Sequence, residues 1–331
     1  MPENTVASYR FEPARLFMPE KVTGRCRKPG YPIRNYAIKR YRCDISERGT
    51  LMIDKRDIQN QIIQAVETVR RINPMAGSIT NTVTINFVAN AQLAVGGSAA
   101  MVYMPDEGEF LAKAGGATYI NVGTILPVYE QTLPHTAKVL YESRKPWVLD
   151  PVAVGIGSLR TRLLMQFKEY KPAVIRGNAS EILALAGLWG LDGGTEVSNV
   201  RGVDSTDSVN ASKTAAVALA RWTGGAVAVS GETDLITDGS VIAFSYGGSH
   251  FMEKITGAGC SLGGVIAVYA TVASPFIAAL TGTAVFNLAG ARAEKKADGP
   301  GSFQVQFLDE LYKANAEDIA NNRFEIEQVD F

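Results

Sequence analysis

Cysteine and histidine are scarce in this chain: its 331 residues include three cysteines, Cys26, Cys43 and Cys260, and two histidines, His135 and His250. The cysteines are widely spaced and form no C-x-x-C pair, which argues against a disulfide framework and a cysteine-based zinc site. The two histidines are too few and too far apart in sequence to predict a metal site, and we assign neither a role. Unpaired cysteines are typical of a reducing compartment, so we expect a cytoplasmic protein.

The chain also lacks net charge and a convincing membrane span. Its 33 Lys and Arg residues balance 33 Asp and Glu residues, so there is no overall bias toward nucleic acid or an anionic membrane. The N-terminus has no apolar core of a secretory signal. The most apolar stretch, residues 260–292, is rich in Gly and Ala and is interrupted by Pro275, which predicts two buried helices.

The first 56 residues differ from the rest of the chain. They carry 13 Lys and Arg residues against 6 Asp and Glu residues, together with five prolines. We predict that residues 1–56 are a basic N-terminal extension without its own core, lying on the surface of this or a neighbouring subunit. The alternatives are a targeting peptide, which the acidic residues disfavour, and an RNA-contacting arm.

From residue 57 to residue 331, helical and strand-like patterns alternate. Residues 56–72 have apolar residues at helical spacing, and Asn73-Pro74 ends this helix. The apolar positions are Ile58, Ile62, Ile63, Val66, Val69 and Ile72. Strand-like runs cover residues 100–104, 117–123, 146–152, 172–178, 225–231 and 241–247. This alternation predicts one α/β domain, a mostly parallel central sheet with helices on both faces.

A glycine-rich turn, Thr256-Gly257-Ala258-Gly259, leads without a break into an apolar run that begins at Cys260. Glycines let backbone N–H groups converge on an anion, and the helix that follows adds the positive end of its dipole. The turn lacks the ending of a P-loop and the first-strand position of a dinucleotide-binding motif. It predicts a phosphate site; a tight strand-to-helix turn is the alternative.

Polar residues follow several predicted strands, where open α/β sheets bind ligands. The turns begin at Asn121, Asp150, Arg176 and Ser230. Asp150 and Glu181 are candidate carboxylates for Mg²⁺ beside substrate phosphates, and Arg176 is a candidate phosphate-neutralising group. Alternatively, Glu181 caps a helix together with the asparagine three residues before it, and Arg176 is a solvated charge.

A cluster of small polar residues precedes the first predicted strand. Asn81 is able to donate to and accept from a small polar ligand, and Met101 is able to form an apolar wall against a ring. The alternatives are that Asn81 caps a helix and that Met101 fills the core.

Together, these stretches resemble the hydroxyethylthiazole kinase family of thiamin salvage, a branch of the ribokinase-like fold. The resemblance runs from about residue 57 to residue 312, with its motifs in the family's order. The motifs are SITNTVTINFVAN (78–90), NVGT (121–124), PWVLDPVAVG (146–155), IRGNASEILALAG (175–187), RGVDSTD (201–207), VSGETD (229–234), TGAGC (256–260) and GPGSFQVQFLDELY (299–312).

The resemblance implies a ribokinase-like three-layer sandwich that transfers a phosphoryl group from ATP to the hydroxyl of 4-methyl-5-(2-hydroxyethyl)thiazole. It also implies Mg²⁺ as cofactor and a homotrimer whose active sites lie at subunit interfaces. Carried over by position, Asn81, Met101 and Gly257 correspond to the thiazole site and Arg176, Ser230 and Thr256 to the ATP site. Asp150 and Glu181 correspond to the acids near Mg²⁺, and Gly257, Ala258, Gly259 and Cys260 to the catalytic turn.

Two positions depart from the family pattern, and two rival functions remain. Thr82 follows Asn81 where relatives often have Asn or Asp, and Ser230 stands where Thr is frequent.

Pyrimidine-alcohol kinases and dehydratases of hydrated nicotinamide cofactors share the fold but usually carry Asp at the position of Cys260. A non-catalytic scaffold or RNA-binding protein is disfavoured by the intact turn and both acids.

Overall fold

The computed structural model describes residues 43–45, 51–195 and 209–329, with side chains from residue 54 onward. Its strands are β1 Cys43–Ile45, β2 Leu51–Ile53, β3 Met75–Ile79, β4 Ser98–Met101, β5 Ala117–Asn121, β6 Trp147–Asp150, β7 Val174–Asn178, β8 Ala226–Ser230, β9 Asp234–Thr237, β10 Val241–Ser245 and β11 Phe324–Gln328. Its α-helices are α1 Lys55–Ile72, α2 Ile85–Ala94, α3 Pro105–Ala114, α4 Tyr129–Glu142, α5 Ser158–Tyr170, α6 Ala179–Leu188, α7 Lys213–Thr223, α8 Ala258–Ala270, α9 Pro275–Glu294, α10 Pro300–Lys313 and α11 Ala316–Ala320.

Nine strands form the central sheet, in the order β11-β10-β9-β8-β7-β6-β5-β3-β4. The six strands from β8 to β4 are parallel, and β9, β10 and β11 add an antiparallel edge. The predicted mostly parallel sheet is confirmed, and the six predicted strands correspond to β4–β8 and β10. The sequence reasoning missed β3, β9 and β11, and β4 begins two residues before the predicted run.

Helices cover both faces of the sheet, each over its own apolar core. One core joins the sheet to α1, α2, α8, α9, α10 and α11. The other joins the opposite face to α4, α5, α6 and α7. The predicted three-layer arrangement is therefore confirmed. The first of these faces matters for function, because α8, the helix that follows the glycine-rich turn, lies on it.

Helix α1 shows how well the periodic pattern predicted burial. Asp54 caps its first turn by accepting a hydrogen bond from the N–H of Arg56, and Asn73 ends it in the left-handed region with φ 47°. Four of the six predicted apolar positions are buried, Ile58, Ile62, Val66 and Val69. The prediction was wrong for Ile72, which is 50% exposed, since it lies at the last position of the helix.

The apolar stretch near residues 260–292 forms two helices, as predicted. Pro275 is the first residue of α9, where its missing N–H removes no helical hydrogen bond. By length and composition α9 is able to cross a membrane, but 83% of its most apolar 18-residue segment is buried inside the protein. Its apolar character thus reflects its place in the core.

Two regions of the sequence analysis lie largely outside the described residues. Of the predicted extension, the structure describes the antiparallel pair β1 and β2 and the start of α1, which begins two residues before the predicted boundary. The motif at residues 201–207 is not among the described residues.

Candidate active site

The candidate site lies at the carboxyl ends of the adjacent strands β5, β6, β7 and β8. Asn121 and Asp150 are the last residues of β5 and β6 and pair directly across the sheet, and Ser230 ends β8. Because side chains alternate along a strand, Tyr119 and Asn121 share one face of β5. Tyr119 packs in the core beneath α8, so this is the face that α8 covers.

A buried ion pair forms the centre of the site. Arg176 Nη1 lies 3.3 Å from Asp150 Oδ2, and Arg176 Nη2 donates to Ser230 Oγ at 3.0 Å. Asp150 is fully buried, and the Arg176 side chain is 9% exposed. Burial raises the pKa of Asp150, while the charge of Arg176 and the hydrogen bond from Tyr119 oppose the rise. Three of the predicted site residues are thus in direct contact.

Two atoms of this pair are buried without a hydrogen-bond partner among the described residues: Asp150 Oδ1 and Arg176 Nε. A buried polar atom without a partner costs free energy in a folded protein. An acceptor and a donor left open in one ion pair suit a bound group that carries both a cation and anionic oxygens. A nucleotide phosphate with its metal ion has this character.

The glycine-rich turn lies directly over the ion pair. Gly257 has φ 92°, in the left-handed region, and a Cβ there would lie 2.9 Å from Thr84 Cβ and Cγ2. A Cβ on Gly259 would lie 2.7 Å from Arg176 Nη2, so the guanidinium packs against the turn itself. The N–H groups at the start of α8 and the guanidinium of Arg176 are therefore adjacent, which favours an anion at this place.

Cys260 is part of the same constellation. Asn81 Nδ2 donates to Cys260 Sγ at 3.4 Å and to Asn121 Oδ1 at 3.0 Å. Burial first, and the charge of Asp150 second, raise the pKa of the Cys260 thiol to about 11, against the attraction of Arg176. The thiol is neutral at pH 7. From the sequence we expect the same state because of the charge of a bound triphosphate; the contribution of burial is visible only in the structure.

Glu181 has the capping geometry that the sequence left open as an alternative. Its Oε2 accepts from the N–H of Asn178 at 2.8 Å, and Asn178 Oδ1 accepts from the N–H of Glu181 at 2.8 Å. Its Oε1 accepts a longer hydrogen bond from Ala153, at 3.4 Å. Burial and then the charge of Asp150 raise the pKa of Glu181 to about 7, which Arg176 opposes. Glu181 thus caps α6 and also interacts electrostatically with Asp150 and Arg176.

Asn81 and Met101 have different surroundings. Asn81 Oδ1 accepts from the N–H of Thr84, which orders the turn before α2; Thr84 itself is the N-cap of α2, so Asn81 does not cap that helix as the alternative expected. Met101 ends the edge strand β4, pairs in register with Ser78 and is half-buried. Among the described residues, no hydrogen bond joins the side chains of Met101 or of the exposed Thr256 to the ion pair.

Sequence reasoning missed Tyr119 as a member of the site. Its hydroxyl donates to Asp150 Oδ2 at 2.9 Å and accepts from Asn121 Nδ2 at 2.8 Å. The available signal was its position two residues before Asn121, since residues at that spacing on a strand share a face. An aromatic residue within an apolar strand is otherwise typical of a core position.

The histidines lie at the surface within hydrogen-bond distance of carboxylates, His135 of Glu109 and His250 of Glu294. Within the part of the chain that the structure describes, no group of three or more His, Cys, Asp and Glu side chains is arranged to hold a metal ion. Magnesium that binds together with phosphates commonly uses only one or two carboxylates, which Asp150 and Glu181 can provide.

Comparison with known proteins places this geometry in a family. The family model described as "HK: Hydroxyethylthiazole kinase family" matches residues 66–317. A hydroxyethylthiazole kinase from Bifidobacterium longum (strain DJO10A) is 49% identical over 292 residues, which cover 83% of this chain and 93% of that protein. The solved structure of a hydroxyethylthiazole kinase from Pyrococcus horikoshii OT3 matches with a TM-score of 0.72 and 30% identity, covering 81% of this chain and 99% of that one.

A ribokinase-like superfamily protein from Enterococcus faecalis V583 matches with a TM-score of 0.52 at 13% identity, covering 79% of this chain and 95% of that one. At that identity the match bears on the fold alone. The predicted ribokinase-like fold is confirmed, and the chain belongs to the hydroxyethylthiazole kinase family.

Proposed function

We propose that this protein transfers the γ-phosphoryl group of ATP to the hydroxyl of 4-methyl-5-(2-hydroxyethyl)thiazole, giving the thiazole phosphate and ADP for thiamin salvage in the cytoplasm. The observation that carries the proposal is the buried Asp150–Arg176 pair beneath the glycine-rich turn, in a chain of this family. Phosphoryl transfer asks a protein mainly for positioning and for neutralisation of charge. This site offers both.

The nucleotide phosphates bind at the turn and at Arg176. The N–H groups of Gly257, Ala258 and Gly259 hold oxygens of the transferring phosphoryl group, where negative charge is present throughout the reaction. Arg176 packs against this turn and supplies the positive charge. Two further residues complete the ATP site. Ser230 accepts a hydrogen bond from Arg176, and Thr256 is exposed at the start of the turn.

Magnesium fits the acids of the site. Asp150 Oδ1 is buried and no described residue bonds to it, and carboxylate oxygens are the ligands that Mg²⁺ prefers next to phosphate. Asp150 and Glu181 would hold the ion, Glu181 through a water molecule because its oxygens already accept backbone hydrogen bonds. When bound, Mg²⁺ neutralises part of the triphosphate charge.

The thiazole alcohol binds on the side of Asn81, Met101 and Gly257, and we propose that a second subunit completes this pocket in a homotrimer. Met101 ends β4, an edge strand of the sheet, and no other described strand pairs with its outer side; the backbone groups of such an edge are available to a neighbouring chain. Large apolar side chains on α2, α3 and the turns before them are exposed around that edge; they are Val83, Leu93, Met104 and Phe110. Such an exposed apolar surface is typical of a subunit interface.

We expect the purified protein to have the mass of a trimer in solution, as measured by light scattering. Replacing Phe110, which is 67% exposed, with Glu places a charge in the proposed interface and should shift the mass toward the monomer and weaken thiazole binding. Tyr312, 72% exposed on α10, provides the matched control, and Tyr312→Glu should leave the mass unchanged. An active monomer contradicts the trimer.

Cys260 acts as a weak base or orients the substrate hydroxyl, because a neutral thiol at this place is a poor base. General-base catalysis contributes about 10²–10⁴-fold, so Cys260→Ala should reduce turnover by roughly 10- to 100-fold with little loss of stability. Cys260→Asp should keep or improve turnover, since Asn81 is placed to donate to the new carboxylate. If Cys260 only packs beneath the turn, the Ala variant stays fully active and the Asp variant unfolds more easily; turnover and thermal melting decide.

The substrate assignment predicts a preference between two alcohols. With Mg-ATP, the protein should phosphorylate the thiazole alcohol at least about tenfold more efficiently than the hydroxymethylpyrimidine alcohol, because the pocket discriminates by shape and hydrogen bonding. A coupled assay of ADP release measures both. Equal or reversed preference would overturn the assignment, and no turnover with either alcohol would favour a non-catalytic protein.

A further inference from the structure

The two oxygens of Asp150 have unequal surroundings. Three donors converge on Oδ2: the Tyr119 hydroxyl at 2.9 Å, Asn121 Nδ2 at 3.1 Å and Arg176 Nη1 at 3.3 Å. Within the part of the chain that the structure describes, Oδ1 has no hydrogen-bond partner. Donors on one side of a carboxylate restrict its rotation, so this arrangement gives the two oxygens different tasks.

Tyr119 is held in place by helix α8. The residue is fully buried, and a Cβ on Gly263 would lie 2.3 Å from Tyr119 Cε2 and 2.9 Å from its hydroxyl oxygen. Only a glycine at residue 263 therefore lets the ring lie where its hydroxyl meets Asp150 and Asn121. The helix that presents the phosphate-binding turn also fixes the tyrosine.

Asn121 extends this arrangement toward the substrate side. Its Oδ1 accepts from the N–H of Gly123 at 2.9 Å and from Asn81 Nδ2 at 3.0 Å. Asn81 also donates to Cys260. A continuous set of hydrogen bonds thus joins the carboxylate of Asp150 to the thiol of Cys260, and Tyr119 closes it at the Asp150 end.

We propose that Tyr119 is a positioning residue of this kinase: together with Asn121 it holds Oδ2 of Asp150, so that Oδ1 stays free for the magnesium–nucleotide complex. The inference rests on the ATP site of the proposed function. The Tyr119 hydroxyl donates to Asp150, and Asn121 remains held by Asp150 and Gly123 when that hydroxyl is removed. Its loss should therefore weaken the effect of magnesium on nucleotide binding and lower turnover while leaving thiazole affinity intact.

Tyr119→Phe removes the hydroxyl and keeps the ring against Gly263. Residues that orient a metal ligand typically contribute about 10- to 100-fold, so kcat should fall by at least about tenfold. Calorimetry should show that the gain in ADP affinity on replacing EDTA with Mg²⁺ shrinks by a similar factor, while the KM of the thiazole alcohol is unchanged. Tyr269→Phe is the matched control, because Tyr269 is equally buried at the far end of α8.

Gly263→Ala tests the placement of the Tyr119 ring without removing the Tyr119 hydroxyl. The added methyl group displaces the Tyr119 ring, so this variant should show the same loss of kcat and of magnesium-dependent ADP affinity. Gly264→Ala is its control: a Cβ there lies 2.7 Å from Val88 Cγ1 and crowds α2 instead. If Tyr119→Phe fails to fold in a melting experiment, the comparison of these two glycine variants decides.

An unchanged magnesium effect on ADP binding in Tyr119→Phe, or a loss equal to that of Tyr269→Phe, overturns the proposal. The calorimetric result is independent of the thiazole substrate. A wild-type protein that binds ADP with magnesium but phosphorylates no thiazole alcohol would therefore refute the proposed substrate while still testing Tyr119.

Discussion

Gly257→Ala is expected to lower turnover by at least about 100-fold, the size of effect seen when a preorganised backbone donor is removed. Two features of Gly257 combine. Its φ of 92° is in the left-handed region, and an added Cβ meets Thr84 at 2.9 Å. To relieve that contact, either the turn or Thr84 has to move. The N–H groups of the turn hold the phosphoryl oxygens, and Thr84 is held in place by the hydrogen bond from its N–H to Asn81. Steady-state turnover with the thiazole alcohol measures the loss.

Gly224→Ala separates the backbone cost from the effect on the site. Gly224 follows α7 with φ 70°, and nothing lies within 4 Å of a Cβ added there. The substitution should therefore lower the free energy of unfolding only by the cost of a left-handed backbone conformation, roughly 1–2 kcal/mol. Both variants should melt at lower temperature, and only Gly257→Ala should lose activity. Equal turnover in the two variants would show that the turn does not hold the phosphoryl group.

Short strands that end in polar residues made much of the site predictable. Asn121, Asp150, Arg176 and Ser230 were recognisable because they stand at or near the ends of apolar runs, and parallel strands bring such ends to one edge. The glycine-rich turn was recognisable from its composition. These signals are local in sequence, so each can be recognised without knowing which distant segments pack together.

What escaped prediction depends on contacts between distant segments. Nothing near Tyr119 in sequence indicates that its hydroxyl meets Asp150, because the contact depends on Gly263, more than a hundred residues away. The surroundings of the half-buried Cys260 have the same origin. Burial, which raises the pKa of the thiol, is a property of the assembled core, whereas the helix terminus and the expected phosphate charge are visible in the sequence.

The structure also changes what to expect of the acids. The sequence alone places Asp150 at a strand end, where Asp150→Ala should lower turnover in a folded protein. In the structure Asp150 is fully buried against Arg176. Removing one partner of a buried ion pair leaves an uncompensated charge and typically costs about 3–5 kcal/mol of stability. A fall in the turnover of Asp150→Ala would therefore not distinguish loss of the metal ligand from unfolding of the protein.

Asp150→Asn is the informative substitution, and we expect it to reduce turnover by at least about 100-fold while the protein remains folded. Asparagine, like alanine, leaves Arg176 without its counter-charge, but it keeps the shape of the side chain and an oxygen that accepts from Tyr119, Asn121 and Arg176, so it should lose less stability than alanine. It also removes the negative charge that Mg²⁺ requires. Raising the Mg²⁺ concentration should recover part of the activity. Turnover as a function of Mg²⁺, with thermal melting alongside, measures both effects.

Glu310→Gln is the matched control for loss of a buried, paired carboxylate. Glu310 lies on α10, is 3% exposed and pairs with Lys296 at 2.6 Å, away from the candidate site. Its substitution should lower the melting temperature without altering the dependence of turnover on Mg²⁺. Full activity of Asp150→Asn at low Mg²⁺ would remove Asp150 from the metal site and leave it as the counter-charge that keeps Arg176 in position beneath the turn.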